Sequence, residues 1–148
     1  MNLFGMLELS GSALTAERQR AEVVTANMAN AETTRSPEGG PYRRQLVVFR
    51  AQRMPQFPLL LASAANSFLP VAARGVRISQ VIADPAPPLE RYEPGHPDAD
   101  SKGYVSYPAV NPVEEMTDLL GAARAYELNA SAVQAAKSML QESLDLLR

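Results

Sequence analysis

The chain contains no cysteine and no tryptophan, and His96 is its single histidine. The absence of cysteine excludes disulfide bonds and thiol chemistry, and it leaves the redox compartment open. The chain also lacks a glycine-rich phosphate loop and a nucleophile elbow, so no catalytic constellation can be assembled from its residues. The sequence therefore predicts a protein that is not an enzyme and that has no cofactor and no metal site.

The single histidine has two aspartates close behind it. His96 is followed by Asp98 and Asp100 in a proline-rich loop, and a metal site built from imidazole and carboxylate groups is one interpretation. Their spacing is not a recognised ligand pattern. In the alternative, the carboxylates accept hydrogen bonds from nearby backbone amides in a plain turn. The turn is the interpretation that we favour.

Neither sign of charge is in large excess in the chain, and long apolar runs are also lacking. Its net charge is −2, and lysine and arginine are scattered, which argues against a nucleic-acid partner. The most apolar stretch is 57–73, where Pro58, Asn66 and Pro70 interrupt a run of about 17 residues, a poor membrane span. This stretch is a partly ordered excursion, a patch that docks on another subunit, or a segment buried in its own domain. The N-terminus lacks a basic region, and Glu8 interrupts its apolar residues, so no secretory signal is predicted.

A long amphipathic helix is predicted for 111–148. Asn111 is a favourable N-cap residue, and Pro112 suits the first helical position. Apolar residues then recur at steps of three and four, the pattern of a coiled-coil seam. A single helix cannot hide such a stripe from water, so it needs a second helix from the same chain or from a neighbour. The seam residues are Met116, Leu119, Ala123, Tyr126, Ala130, Val133, Leu140, Leu144 and Leu147.

A second helix is predicted from Leu3 to about Asn30, with fraying over the first dozen residues because of Gly5 and Gly11. Its apolar face would include Leu3, Leu7, Leu14, Ala21, Val24 and Met28. One interpretation is an ordinary helical hairpin within a monomer. The simplest arrangement of the coiled coil packs the two terminal helices antiparallel, meeting near their ends. Leu14 would then lie within about one turn of Ala136, and Ala21 within about one turn of Ala130.

Between the helices the sequence favours strands and loops. Alternating and β-branched residues predict strands at 45–50 and 75–83, and the prolines from Pro85 to Pro97 predict an extended, turn-rich loop. The expected fold is α+β, with terminal helices packed as a coiled coil and a small β-rich, proline-rich middle. The expected domains are 1–35 with 109–148 for the helices, and 36–108 for the middle segment.

Two motifs lie close to the two ends of the chain. The first, at 26–33, reads Ala-Asn-Met-Ala-Asn-Ala-Glu-Thr. The second comprises Glu115-Met116, Arg124-Ala125-Tyr126, Asn129 and Met139-Leu140. Together and in this order, they resemble the N-terminal and C-terminal signatures of bacterial flagellar rod and hook proteins.

The middle of the chain narrows the resemblance. Residues 41–43 read Pro-Tyr-Arg, 92–100 read Tyr-Glu-Pro-Gly-His-Pro-Asp-Ala-Asp, and 103–105 read Gly-Tyr-Val. These segments are similar to those of the proximal-rod proteins of the FlgC type. The resemblance covers nearly the whole chain except 52–74, which is interpreted as a variable insertion. The middle-segment residues that carry it are Pro41, Tyr42, Tyr92, Pro94, Gly95, Pro97, Gly103 and Tyr104.

The resemblance implies a structural subunit of the rod in the flagellar basal body. Its terminal helices would form the inner tube of a shaft that spans the periplasm and transmits torque. The implied partners are copies of the same chain, other rod proteins and the flagellar type III export apparatus, without a cleaved signal peptide. Helix packing and subunit contacts would involve Leu7, Leu14, Ala21, Val24, Asn27, Met28, Asn30, Thr33, Met116, Leu119, Ala123, Arg124, Tyr126, Asn129, Val133, Met139, Leu140 and Leu144.

Several interpretations stay open at this point. Asn27 and Asn30 either cap a helix end or reach an adjacent subunit, where a polar side chain can fix the register. Arg124 is either a solvated charge or a partner across helices, and Tyr126 is expected in the seam. The alternative function is a non-enzymatic periplasmic coiled-coil adaptor or an export-associated binding protein. Such an adaptor would form a dimer of fixed size, whereas a rod protein assembles without closing.

Overall fold

The computed structural model describes residues 3–37, 39–52 and 75–146. Within them, a helix stands at each end of the chain and four strands lie between, so the predicted α+β class is confirmed. Most of the predicted insertion at 52–74, with the interpretations of 57–73, lies outside the described residues. The elements are α1 (Leu3–Ala29), β1 (Gln45–Gln52), β2 (Gly75–Ala83), β3 (Leu89–Tyr92), β4 (Tyr104–Tyr107) and α2 (Pro112–Asp145).

Helix α1 has nearly the predicted bounds and is continuous through its glycines. The predicted fraying of the first dozen residues is wrong for the described ones, which are helical from Leu3 onward. The helix ends where polar side chains compete for its backbone. Asn30 donates its Nδ2 to the carbonyl of Ala26 at 2.9 Å, and Thr33 donates its hydroxyl to Asn30 Oδ1 at 3.2 Å. Asn30 therefore caps the helix end, as one of its two interpretations predicted.

Helix α2 begins as its sequence predicted. Pro112 is its first residue, and Asn111 Oδ1 accepts a hydrogen bond from the backbone N–H of Val113 at 3.1 Å. This bond is the N-cap interaction, which satisfies a donor that the first turn leaves without a helical partner. The fully buried residues of α2 are Glu115, Ala122 and Ala136, which stand at multiples of seven and so share one side of the helix.

The two predicted strands are confirmed as β1 and β2, which pair in one two-stranded sheet. The interpretation of the following segment as a loop is wrong in part, because β3 lies within it and pairs antiparallel with β4. In that ladder Leu89 stands opposite Tyr107 and Tyr92 opposite Tyr104. The prolines lie just outside β3, where they do not remove a ladder hydrogen bond.

The chain separates into two compact units. The first comprises Met1–Arg18, Phe49–Ser79 and Arg124–Arg148, and the second comprises Gln19–Val48 and Gln80–Ala123. In the first unit the backbone N–H of Val76 donates to Ser12 Oγ at 3.0 Å. A Cβ on Gly75 would lie 2.5 Å from that same oxygen, so the close approach requires glycine. The domain limits predicted above stay a prediction.

The second unit contains most of the fully buried apolar side chains among the described residues. Val105 and Tyr107 lie on the inner face of β4, and Val24 of α1 and Val110 are buried in the same unit. Two polar residues, Asn27 and Glu115, are buried as deeply as any of them. Because a buried polar group is costly unless it is hydrogen-bonded, both side chains must find hydrogen-bond partners inside the fold.

Candidate functional site

Asn27 lies near the end of α1 and is only 1% exposed. Its Nδ2 donates to the backbone carbonyl of Gln45 at 2.9 Å and to Glu115 Oε2 at 3.0 Å. Its Oδ1 accepts from the backbone N–H of Gln45 and from the hydroxyl of Tyr42, each at 2.9 Å. All four hydrogen-bonding positions of the amide are therefore occupied within the chain.

Glu115 lies in the first turn of α2 and is also 1% exposed. Its Oε1 accepts from Arg44 Nε at 2.6 Å and forms an ion pair with Nη2 of the same guanidinium. Arg44 also places Nη1 3.8 Å from Asp84 Oδ2, and its carbonyl accepts from the backbone N–H of Asp84 at 2.7 Å. A buried carboxylate needs a partner of this kind, because charge without compensation is strongly disfavoured away from water.

Tyr42 connects the segment after α1 to the same network. Its hydroxyl donates to Asn27, and its backbone N–H donates to the carbonyl of Thr33 at 3.0 Å. Burial raises the pKa of the Tyr42 phenol, and the negative charge of Glu115 raises it further. Tyr42 is therefore neutral at physiological pH and acts as a hydrogen-bond donor. We call the cluster of Asn27, Tyr42, Arg44 and Glu115 the junction network.

A second contact joins the two helices within this unit. Arg20 Nη2 lies 3.2 Å from Asp118 Oδ1, and both side chains are partly exposed. Arg20 precedes Asn27 in α1, whereas Asp118, the partner of Arg20, follows Glu115, the partner of Asn27, in α2. The two helices therefore run antiparallel here. The predicted direction is confirmed. The predicted register, with Ala21 within one turn of Ala130, is wrong, because the neighbouring Arg20 contacts Asp118.

The structure corrects both interpretations of Asn27. It neither caps α1 nor offers its amide to an adjacent subunit, since it is buried and fully bonded to Tyr42, Gln45 and Glu115. The sequence did not predict these partners of Asn27, because the spacing of apolar residues does not indicate which polar residue a buried asparagine contacts. The predicted seam placed Met116 and Ala123 inward, whereas the structure buries Glu115 and Ala122, each one position earlier in α2.

The other predicted packing residues differ in exposure. Val24 is buried, whereas Leu7, Leu14, Ala21, Met28, Thr33, Leu119, Asn129, Val133 and Leu140 are half-buried. Asn129 donates its Nδ2 to the carbonyl of Ala125 at 2.8 Å within its own helix. The exposed residues of the predicted set are Met116, Ala123, Arg124, Tyr126, Met139 and Leu144. Their role in contacts between subunits stays a prediction.

Three large apolar residues near the start of α2 form an exposed stripe. Val113 is 73% exposed, Met116 54% and Leu120 56%. Because they are three and four residues apart, they share one face of the helix. Glu115 and Ala122, which are buried, face another side. We call Val113, Met116 and Leu120 the α2 stripe.

Most residues of the middle-segment motif lie in or beside the turn that joins β3 to β4. The rings of Tyr92 and Tyr104 meet edge to face with centroids 5.4 Å apart, and both are exposed. Gly103 has φ +82°, and a Cβ there would lie 2.9 Å from Tyr92 Cε2 and 3.2 Å from Pro94 Cβ. The structure thus explains why glycine stands at position 103. Pro41 is half-buried, and Pro94, Gly95 and Pro97 are exposed.

The loop around His96 is a turn. His96 Nδ1 accepts from the backbone N–H of Asp98 at 3.1 Å. Asp100 Oδ1 accepts from the backbone N–H groups of Lys102 and Tyr104, each at 2.8 Å. Asp98 instead accepts from the hydroxyl of Thr34 at 2.8 Å. Among the described residues, no group of three or more potential ligands could hold a metal ion, and no helix is long and apolar enough to cross a membrane.

Similarity to known proteins covers both helices and the segment between them. The profile described as "Flagella basal body rod protein" matches residues 7–35, and that described as "Flagellar basal body rod FlgEFG protein C-terminal" matches 101–146. The chain is 38% identical to a flagellar basal-body rod protein FlgC of Borreliella burgdorferi, over 100% of this chain and 99% of that protein. FlgC of Escherichia coli O6:H1 is also 38% identical, over 99% of this chain and 98% of that one. FlgC of Bacillus subtilis strain 168 is 38% identical over 99% of each.

Proposed function

Because the chain belongs to the FlgC family of flagellar basal-body rod proteins, and is thus a structural subunit of the rod, we propose that it builds the proximal rod through its two terminal helices. In this proposal the helices pack against copies of the chain and against other rod proteins. The assembled shaft transmits torque mechanically. No chemical step is involved.

The observation that carries this proposal is the α2 stripe. Val113, Met116 and Leu120 expose apolar surface on one face of a long helix, while another side of the same helix carries the buried Glu115 and Ala122. Apolar area in water is unfavourable at about 25 cal/mol per Å², so a stripe of three large side chains favours association. A contact between the stripe and a different face of the next identical subunit produces a filament, as a rod requires, when the rotation between subunits does not close into a ring.

The proposal extends to how a subunit reaches the rod. We infer that the chain passes through the flagellar export apparatus and completes its folding on assembly. Few apolar side chains are fully buried in the described part of the single chain, and several of them are alanines. Helices with so little packing are marginally stable in water, and burial between subunits would offset the cost of ordering them.

The rod proposal is tested by adding charge to the α2 stripe. Cells lacking the native chain would carry a tagged copy with Met116→Glu and Leu120→Glu, and intact basal bodies would be isolated. We expect this variant to be missing from basal bodies, because a rod contact cannot bury two carboxylates. The matched control is Met116→Leu with Leu120→Met, which keeps the stripe apolar and should be incorporated.

The outcomes separate the alternatives. Both purified variants should retain the parent's helix content, since the substituted side chains are exposed. Incorporation of the charged variant at the parent level would contradict the role of the stripe. A parent protein that is absent from basal bodies and forms a soluble dimer of fixed size would instead favour the adaptor.

A further inference from the structure

We infer that the junction network fixes the register of α1 against α2, and that its polar residues serve register choice rather than net stability. The network brings together the end of α1 through Asn27, the start of α2 through Glu115 and the segment before β1 through Arg44. Each of these residues meets its partners at one relative position of the two helices. The inference concerns the single chain and does not depend on the proposed function.

The apolar contacts of this unit discriminate poorly between registers. The buried residue that follows Glu115 on the same side of α2 is Ala122, one heptad later. Alanine is small and presents no directional group, so it fits against a facing helix at several axial positions. A slip of one heptad would therefore change the apolar packing little.

The polar contacts discriminate strongly. After a slip of one heptad, Ala122 would stand where Glu115 now accepts a hydrogen bond from Asn27. Glu115 would leave Arg44, and the guanidinium and the amide would each lose a bonded partner in a buried environment. A buried charge without its partner is far more costly than a lost apolar contact, so the slipped register is excluded.

The same physics explains why the network adds little net stability. Burying Glu115 and most of the Arg44 side chain costs desolvation energy that their attraction only partly offsets. The ion pair between Arg20 and Asp118 differs, because both side chains keep access to water and the long arginine can follow a shift. It is the natural control for a helix contact that does not determine register.

The test measures helix register directly in the purified chain. The chain has no cysteine, so cysteines introduced at the exposed Thr25 and Thr117 carry the only spin labels. Double electron–electron resonance then gives the distance distribution between α1 and α2. The test variant is Asn27→Leu with Arg44→Met and Glu115→Leu, and the control is Arg20→Met with Asp118→Leu. Slipping by one heptad moves one label along the helix axis by roughly 10 Å.

We expect one distance population in the parent and in the control, and at least one further, shifted population in the triple variant, which keeps its helix content. A single population at the parent distance in the triple variant would overturn the inference. Glu115→Gln provides a second measurement, because it keeps the side chain's size while removing the charge. If the triple variant loses its helices and Glu115→Gln keeps one population, the network serves stability and the inference is wrong.

Discussion

The side-chain amide of Asn27 pairs with both backbone groups of Gln45, donating to its carbonyl and accepting from its N–H at 2.9 Å each. This is the pair of bonds that a neighbouring strand residue would form. A helix side chain thus takes the place of a strand partner at the first residue of β1.

Asn27→Ala should destabilise the chain strongly. The substitution removes four hydrogen bonds and leaves buried groups of Tyr42 and Glu115 without their partner. We expect the free energy of unfolding to fall by about 2–4 kcal/mol, measured by urea denaturation. Asn30→Ala is the control, because it removes a cap at a more exposed site and should cost about 1 kcal/mol. Equal losses in the two variants would contradict the central position of Asn27.

Removing one partner of the buried ion pair should cost more than replacing both. Glu115→Ala leaves the Arg44 guanidinium without its carboxylate and should lower the free energy of unfolding by about 3–5 kcal/mol. Arg44→Met combined with Glu115→Leu should cost less than that single change, because both charges of the closest pair are removed and only the half-buried Asp84, 3.8 Å from Arg44 Nη1, loses its partner. Asp118→Ala, at the exposed pair with Arg20, should change stability by at most about 1 kcal/mol. A double variant less stable than Glu115→Ala would argue against this account.

Stability should fall at alkaline pH because of two tyrosines. Burial raises the pKa of Tyr42, and a hydrogen bond to Glu93 raises that of Tyr107. A tyrosine whose pKa is raised by folding stabilises the fold fully below its unfolded pKa of about 10, and that contribution is lost as pH rises through the folded pKa. Tyr42→Phe should therefore reduce the loss of stability above pH about 10.

The readout for the tyrosines is the absorbance of tyrosinate during a pH titration. Tyr42→Phe and Tyr107→Phe should each remove absorbance that develops above the ordinary tyrosine pKa of about 10. If either substitution instead removed absorbance that develops below that pH, the raised pKa of that tyrosine would be contradicted.

Gly103→Ala should destabilise the turn between β3 and β4. A Cβ at this position meets Tyr92 Cε2 at 2.9 Å, and φ is +82°. We expect a loss of about 1–3 kcal/mol in thermal or urea unfolding. Gly95→Ala, in the same loop, meets nothing within 4 Å and should change stability by less than about 1 kcal/mol. Equal effects at the two glycines would show that the fold does not depend on this close approach.

The sequence predicted those elements that local rules specify. Asn111 and Pro112 marked the start of α2, the apolar, β-branched run in 45–50 marked β1, and alternation in 75–83 marked β2. The strands β3 and β4 were missed because they have only four residues each, and β3 lies between prolines. Their pairing depends on the inward packing of Val105 and Tyr107, which no local pattern shows.

The junction network was beyond sequence reasoning for a different reason. Asn27 and Glu115 are 88 positions apart, and polar residues near helix ends are usually caps or solvated charges. The helix register failed for the same cause, since the periodic apolar spacing is compatible with several axial positions. The contacts of Arg20 with Asp118 and of Asn27 with Glu115 decide between them.

The double pairing of Asn27 with Gln45 also has a mechanical consequence. A pull on β1 away from the helices loads both Asn27 bonds to Gln45 together, and the nearby Tyr42 bond to the same amide shares the load. Bonds loaded together resist force better than bonds that open one after another, as in the peeling of a hairpin. The joint between strand and helix should therefore stay stiff up to its limit and then fail in one step.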